Sequence, residues 1–511
     1  MKSYFINLRI FLITITLLFA NLTYAQNSKY SQEELAFMPA SSLLELYKQL
    51  AVSPVDVVEA QKAQWEKTNG EVNATTFTYW DKALAQAEIA EQHYKDGTYR
   101  SLEGITVGLK DEHHDVGMRV TQGSLVHRND PPKDYADPVT QKLKDAGAIF
   151  TIQCTVPELY LHFCTDTRAW GTTRNPWNNK YSVGGSSGGS GAALAAGYCT
   201  IATGSDMGGS VRIPSAFNGV YGLKPSFGTV HTDLPMSYFS GTGPMARTFE
   251  DMAMMYNVIA GPTPYSPNVM AHQPLPTNYE SLEGVKVAYV LGLGILEPTN
   301  EVKTAMNNAI EALKKSGAQV DIIEIDFGMD AKELLTNFKK MAFAGPMGGQ
   351  MSVYETYQDS LTKYASNFVD AAANAGYNGK DLAEVELLIK KMYHLLAEAT
   401  FENGYEAVIL PTLPTSHIPA DFDLVDGTVE EDGRVFPGIV GGAYTIPFNL
   451  LNYCPVASVP VGLSSQNMPI GMQIVGKPYD TESVFKVAYN YSQKGIKLFE
   501  GNNTPSKKVS K

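Results

Sequence analysis

Residues 182–214 read SVGGSSGGSGAALAAGYCTIATGSDMGGSVRIP. Two Gly-Gly-Ser sites, Gly184-Gly185-Ser186 and Gly208-Gly209-Ser210, bracket a run of small residues. Glycine lets a backbone approach a ligand closely and turn its N–H groups inward. A serine beside such glycines becomes a nucleophile once a base takes its proton. The run GGSGAALAA predicts a helix over Gly188–Ala196, and the apolar stretch after it a strand over Cys199–Thr203. The segment reads as a reaction centre built from backbone donors and hydroxyls, on a helix and strand that belong to an α/β alternation along the chain.

The flanking sequence extends that pattern. Ser41–Glu66 reads as two helices split near Ser53-Pro54, and Lys82–Tyr94 as a longer helix. Gly104–Leu109 reads as a strand, Asp137–Ala146 as a helix and Ala148–Ile152 as a strand. Further on, strands at Val285–Val290 and Val320–Ile325 enclose a helix at Asn300–Lys315. Leu382–Phe401 is helical, and short strands follow at Ala407–Leu410, Val456–Val461 and Ile470–Val475. This alternation predicts a sheet covered by helices on both faces. One large domain is expected over residues 26–511, with about 293–401 as a mostly helical, variable region, read as a lid or an insertion.

Composition narrows the function classes. The 511 residues are 44% hydrophobic and 18% charged, a globular balance. Net charge is −13 and no basic run occurs, which argues against a nucleic-acid partner. Residues 1–25 read as a signal peptide: Lys2 and Arg9, an apolar run from Ile10 to Ala20, and Thr23-Tyr24-Ala25 as a cleavage site. The expected location is periplasmic or secreted, with no membrane association after cleavage. The four cysteines, Cys154, Cys164, Cys199 and Cys454, match neither a disulfide scaffold nor a zinc site and read as buried free thiols. A Cys154–Cys164 bridge stays open.

Three side chains could carry chemistry. Lys110 stands where an apolar strand leaves the core, in GLKD. A free lysine, with a pKa of ~10.4, is neutral in only about one molecule in 2,500 at pH 7. Partial desolvation favours the neutral amine and can make it a base. The plainer alternative is a strand-end lysine paired with Asp111. Ser186 and Ser210 are the candidate hydroxyls, each alternatively a turn residue or helix cap. The N–H groups of Met207, Gly208, Gly209 and Ser210 could converge on an oxyanion. GGSSG and GSSGG both meet the loose G-x-S-x-G pattern of α/β-hydrolases, but His231, His272, His394 and His417 lack a persuasive setting for its histidine. No Gly-Lys-Ser/Thr ends the run as a phosphate loop would, and the adjacent His113-His114 pair lacks a metal-ligand spacing.

Taken together, these residues resemble the amidase signature family. GLKD resembles its catalytic-lysine segment, and GGSSGGSGAALAAG with GSDMGGSVRIPSAFNGVYGLKPSFG resembles its signature core nearly position for position. AWGTTRNPWN (169–178), GPMARTFED (243–251) and NMPIGMQIVG (467–476) are further family-like blocks, so the resemblance runs from about Ser41 to Lys494. It implies an amidase-signature fold, with a mixed central sheet between helical layers. It implies a Ser–cis-Ser–Lys triad, with Ser210 as nucleophile, Ser186 as bridging serine and Lys110 as base. The Gly185–Ser186 peptide would be cis. Met207, Gly208, Gly209 and Ser210 would form the oxyanion hole, and Asp206 and Arg212 would hold the nucleophile loop. No metal or organic cofactor is implied, and a homodimer follows only from family habit.

The implied activity is hydrolysis of a small-molecule carboxylic amide through an acyl-enzyme. The alternatives are an esterase on the same triad, or a protein like the A subunit of the tRNA-dependent amidotransferase, which works with a charged tRNA and partner subunits. A catalytically dead scaffold is disfavoured by retention of all three triad residues. The chain departs from the family pattern at three places. Ser205-Asp206-Met207 replaces the usual Thr-Asp-Thr. Residues 152–158, IQCTVPE, replace Gly-Lys-Thr-Asn-Thr-Pro-Glu. Glu112-His113-His114 after the lysine is unusual.

Overall fold

The structure, a computed structural model, describes residues 29–232, 238–266, 268–501 and 503–505. The signal-peptide reading of residues 1–25 lies outside the described residues. An eleven-stranded sheet organises the chain. Its strands are β1 (Thr75–Thr78), β2 (Thr106–Lys110), β3 (Ile149–Cys154), β4 (Ile201–Asp206), β5 (Tyr221–Lys224), β6 (Gly241–Ala246), β7 (Lys286–Val290), β8 (Gln319–Ile323), β9 (Tyr405–Pro411), β10 (Val456–Leu463) and β11 (Pro469–Gly476). The spatial order is β1-β3-β2-β4-β6-β5-β10-β11-β9-β7-β8. β2 runs parallel to β3 and β4, and β7 parallel to β8 and β9. The remaining pairings are antiparallel, so the sheet is mixed.

Alternation along the central strands buries both faces. Val287, Tyr289, Ala407, Ile409, Ala457 and Val459 enter one core, together with the helices Phe249–Ile259, Asn300–Lys315 and Thr481–Lys494. Their neighbours Ala288, Val290, Val408, Leu410 and Val456 enter another on the opposite face. The helix Gly188–Ala195 also lies on that second face, against β2, β3 and β4. Its small residues are a packing requirement: a Cβ on Gly189 would collide with the backbone of Thr155. Only a helix this thin brings its N-terminal turn, and with it Ser186 and Ser187, down to the sheet.

The long helices start where their caps dictate. Ser53 and Asp56 form a capping box ahead of Pro54–Val72, and Asp137 accepts from the N–H groups of Val139 and Thr140 to open Pro138–Asp145. The sequence did not predict β1, β5 or β6. Residues 293–401 divide between two roles. Asn300–Lys315 and β8 belong to the central sheet and its cover, whereas Ala331–Ala344, Pro346–Ser352 and Lys363–Asn374 lie beyond the sheet and wall a cavity. All four cysteines are buried free thiols, and Cys154 is not bridged to Cys164.

Candidate active site

Parallel pairing of β2 with β4 places their C-terminal ends side by side. Lys110 is the last residue of β2, and Ser205-Asp206 ends β4. The Lys110 N–H donates to Thr203 Oγ1 at 2.9 Å, which fixes the two ends together. Ser186 arrives from the loop before helix Gly188–Ala195, and the Gly185–Ser186 peptide is cis. The Ser187 N–H donates to the Ser210 carbonyl at 3.1 Å and ties that loop to the one that carries Ser210.

The Lys110 side chain is fully buried. Its Nζ donates to Ser186 Oγ at 2.9 Å and to Ser205 Oγ at 2.6 Å. Glu112 Oε2 lies 3.1 Å from the same nitrogen and accepts from Ser205 Oγ at 2.7 Å. The Tyr160 ring covers Nζ at 5.0 Å. The alternative pairing with Asp111 does not occur. Asp111 turns away and accepts from the N–H of Thr121, the N–H of Gly123 and Gln153 Nε2. Burial works to raise the Glu112 carboxyl, but the charges of Lys110 and His113 and the hydrogen bonds from Ser205 and Lys110 hold it below the usual range.

Asp206 and Arg212 are both completely buried and form a two-bond pair, Nε to Oδ2 at 2.9 Å and Nη2 to Oδ1 at 2.8 Å. Asp206 also accepts from the N–H of Val211 at 3.2 Å and of Gly209 at 2.8 Å. The Gly209 bond corrects one expectation. That N–H is expected among the oxyanion donors, but it is committed to Asp206 in holding the turn. Gly209 has φ +120°, a conformation that favours glycine, and a Cβ there would collide with Thr445.

Sequence reading missed the outer supports of this loop. Thr445 Oγ1 donates to the Gly208 carbonyl at 2.7 Å. Arg212 Nη1 donates to Gln473 Oε1 at 2.7 Å and Nη2 to Asn449 Oδ1 at 2.7 Å. Asn449 and Gln473 are polar residues inside the apolar runs IPFNLL and GMQIV, and that contrast was the available signal. The paired histidines also find local partners. His113 Nδ1 faces Asp137 Oδ1 at 3.2 Å, and His114 Nδ1 faces the Tyr135 carbonyl at 3.1 Å.

Ser210 and Gly185 border a cavity of about 800 Å³, with Met207 and Gly208 beside them. Its walls are mainly apolar and include Phe163, Ile213, Phe338, Phe368 and Ile446. Among the described residues, no hydrogen bond joins Ser210 Oγ to Ser186 Oγ. The hydrogen-bonded chain from Lys110 to Ser186 therefore stops short of Ser210.

The amidase family model matches residues 56–485. The chain belongs to the amidase family. The A subunit of the glutamyl-tRNA(Gln) amidotransferase of Geobacillus sp. (strain WCH70) is 32% identical to this chain over 487 residues, covering 89% of the chain and 96% of the relative. Among solved structures, a bacterial aryl acylamidase of the amidase signature enzymes superposes with a TM-score of 0.80 at 24% identity, covering 90% of this chain and 96% of that one. The 6-aminohexanoate cyclic dimer hydrolase superposes with a TM-score of 0.77 at 26% identity, covering 90% and 97%. The mixed sheet with helices on both faces is thus the fold of amidase-signature enzymes.

Proposed function

We propose that this protein is an exported amidase that hydrolyses a carboxylic amide bearing a bulky apolar group, through an acyl-enzyme on Ser210. The observation that carries the reading is the Lys110 Nζ–Ser186 Oγ bond of 2.9 Å, buried behind a serine that borders an apolar cavity. Ser210 Oγ attacks the amide carbonyl as Ser186 takes its proton and passes its own to neutral Lys110. The N–H groups of Met207, Gly208 and Ser210 hold the tetrahedral oxyanion. Ser186 then returns a proton to the leaving nitrogen, which departs as ammonia or a free amine. Water then gives its proton to the same relay as it attacks the ester, and the proton returns to Ser210 Oγ as the acid leaves. Catalytic hydrogen bonds often close only around substrate, which accounts for the open Ser186–Ser210 step. Export rests on the charged and apolar pattern of residues 1–25. A homodimer is a proposal from family habit, to be read by sedimentation.

The relationship to the amidating enzyme of glutamyl-tRNA(Gln) supports a second reading, in which the chain releases ammonia from glutamine for transfer to a charged tRNA. The net charge of −13 and lack of a basic run weigh against an RNA partner. One experiment separates the readings. The mature chain and Ser210→Ala are assayed on primary amides, anilides, cyclic amides, esters and glutamine, with ammonia and amine measured separately. Ser210-dependent turnover of apolar amides is expected. Turnover confined to esters would make it an esterase, and turnover confined to glutamine, with product appearing on glutamyl-tRNA(Gln), would establish the second reading.

A further inference from the structure

We propose that Glu112 is a positioning residue for the base: directly and through Ser205 it takes up the hydrogens of the Lys110 amine and so aims its lone pair at Ser186. The proposal rests on the Ser210–Ser186–Lys110 relay of the proposed mechanism.

Three oxygens surround Lys110 Nζ: Ser186 Oγ at 2.9 Å, Ser205 Oγ at 2.6 Å and Glu112 Oε2 at 3.1 Å. A serine hydroxyl has one hydrogen to give. Ser205 gives its hydrogen to Glu112 at 2.7 Å, so its oxygen must accept from Lys110. Glu112, as a carboxylate, can only accept. A neutral amine has two N–H groups and one lone pair. Its two hydrogens are claimed by Ser205 and Glu112, and the lone pair is left facing Ser186. After proton transfer the ammonium has three hydrogens for the same three oxygens. The cage therefore serves both protonation states without rearrangement. Glu112 performs this twice, directly and by fixing the direction of the Ser205 hydroxyl.

Charge adds a second effect. A carboxylate at this distance favours the ammonium over the amine, while burial favours the amine. Removing the negative charge leaves burial less opposed. The acid limb of the pH–rate profile then moves to lower pH. The other ionisable groups nearby stay in place. Asp111, whose carboxyl burial pushes up to about 7, faces Thr121, Gly123 and Gln153. His113 faces Asp137, the Tyr160 ring covers Nζ, and Asp206 is paired with Arg212. All are common to wild type and variant, so a difference between their profiles reports Glu112.

The rate at which a fluorophosphonate labels Ser210 tests this without a known substrate. Labelling is followed from pH 5 to 10 for wild type, Glu112→Gln, Ser205→Ala and Lys110→Ala, with Ser210→Ala as the blank. Glu112→Gln is expected to move the acid limb down by about one pH unit and to lower the plateau several-fold. Ser205→Ala, which keeps the charge, is expected to lower the plateau without moving the limb. A Glu112→Gln limb that stays in place, or moves up, overturns the proposal. Should Glu112→Gln not fold, Glu112→Asp draws the charge back by one methylene, and the limb must still move down. Lys110→Ala separates the two levels of inference. Full labelling in Lys110→Ala would sink the relay itself, whereas lost labelling with an unmoved Glu112→Gln limb would sink only the role of Glu112.

Discussion

Arg212 grips both carboxylate oxygens of Asp206, with neither side chain exposed to solvent. The remaining guanidinium hydrogens go to the Thr445 carbonyl, Gln473 Oε1 and Asn449 Oδ1. One arginine thus joins the Ser210 loop to two segments more than 200 residues away. Removing one partner of a buried pair strands the other charge, at a cost of roughly 3–5 kcal/mol. Arg212→Ala is expected to lose stability of that order, read as a fall in the urea midpoint with unchanged slope. A midpoint equal to wild type would mean that the pair contributes nothing.

The same carboxylate makes stability depend on pH. Burial works to raise the Asp206 carboxyl, but the Arg212 charge, the hydrogen bonds from Arg212 and Asn449 and the Lys224 charge hold it well below the usual range. Asp137 is also held well below its usual range: burial raises it, and the His113 charge with hydrogen bonds from His113, Thr140 and the His114 N–H outweighs that. A carboxyl depressed on folding stabilises the protein above its unfolded pKa, ~3.9 for Asp. That contribution is lost as pH falls toward the folded value. The contribution of Asp206 and Asp137 is expected to hold from pH 7 to about 5 and to fall steeply below about 4. Urea midpoints measured across that range check it, and Asp206→Asn should show a shallower fall than wild type.

Gly208 and Gly209 look equivalent in the sequence and are not equivalent in the fold. Gly209 combines φ +120° with a site where a Cβ would strike Thr445 and Ile213. Gly208 has ordinary backbone geometry, and its nearest neighbours to an added Cβ are Phe338 at 3.7 Å and Ile446 at 3.8 Å. Gly209→Ala is expected to cost about 1–3 kcal/mol from backbone strain alone. Displacing Ser210 by about 1 Å would lower kcat roughly a hundredfold. Gly208→Ala should keep wild-type stability within about 0.5 kcal/mol and instead raise KM for bulky substrates, because its methyl enters the cavity. Equal melting curves for the two variants would contradict this distinction.

The parts of this fold legible in the sequence are those whose signals are local. Ser53-Pro54 announced a helix start because capping is decided within four residues. The apolar runs at 148–152, 285–290 and 456–461 announced strands because they are buried on both faces. β5 and β6 gave no such signal. YGLK and GTGPMA carry glycine or proline and become strands through their neighbours in the sheet. At the site, Ser186 and Ser210 were legible as candidates because two glycines precede each of them. Glu112 and Ser205 stood out only as departures from a pattern. Their meeting at Lys110 depends on the parallel pairing of β2 and β4, and no local signal encodes that pairing. Thr445 was hidden for the same reason, and Asn449 and Gln473 showed only as polar residues within apolar runs.

The cavity beside Ser210 makes a quantitative demand on the substrate. Its walls include Phe163, Ile213, Phe338, Phe368 and Ile446, and its volume of about 800 Å³ exceeds what a small amide would fill. Each methylene moved from water into such a site gains about 0.8 kcal/mol, which is roughly a fourfold gain in kcat/KM at 25 °C. Two homologous series test this, one lengthening the acyl chain of an anilide and one lengthening the amine of an acetamide. At least one series should rise by close to fourfold per methylene until the cavity is filled, then level off. Phe338→Ala should raise KM more for the longer members than for the shorter ones, since the short members never reach that wall. If both series are flat, the apolar walls do not contact the substrate, and the proposed class of bulky apolar amides is wrong even if Ser210 is the nucleophile.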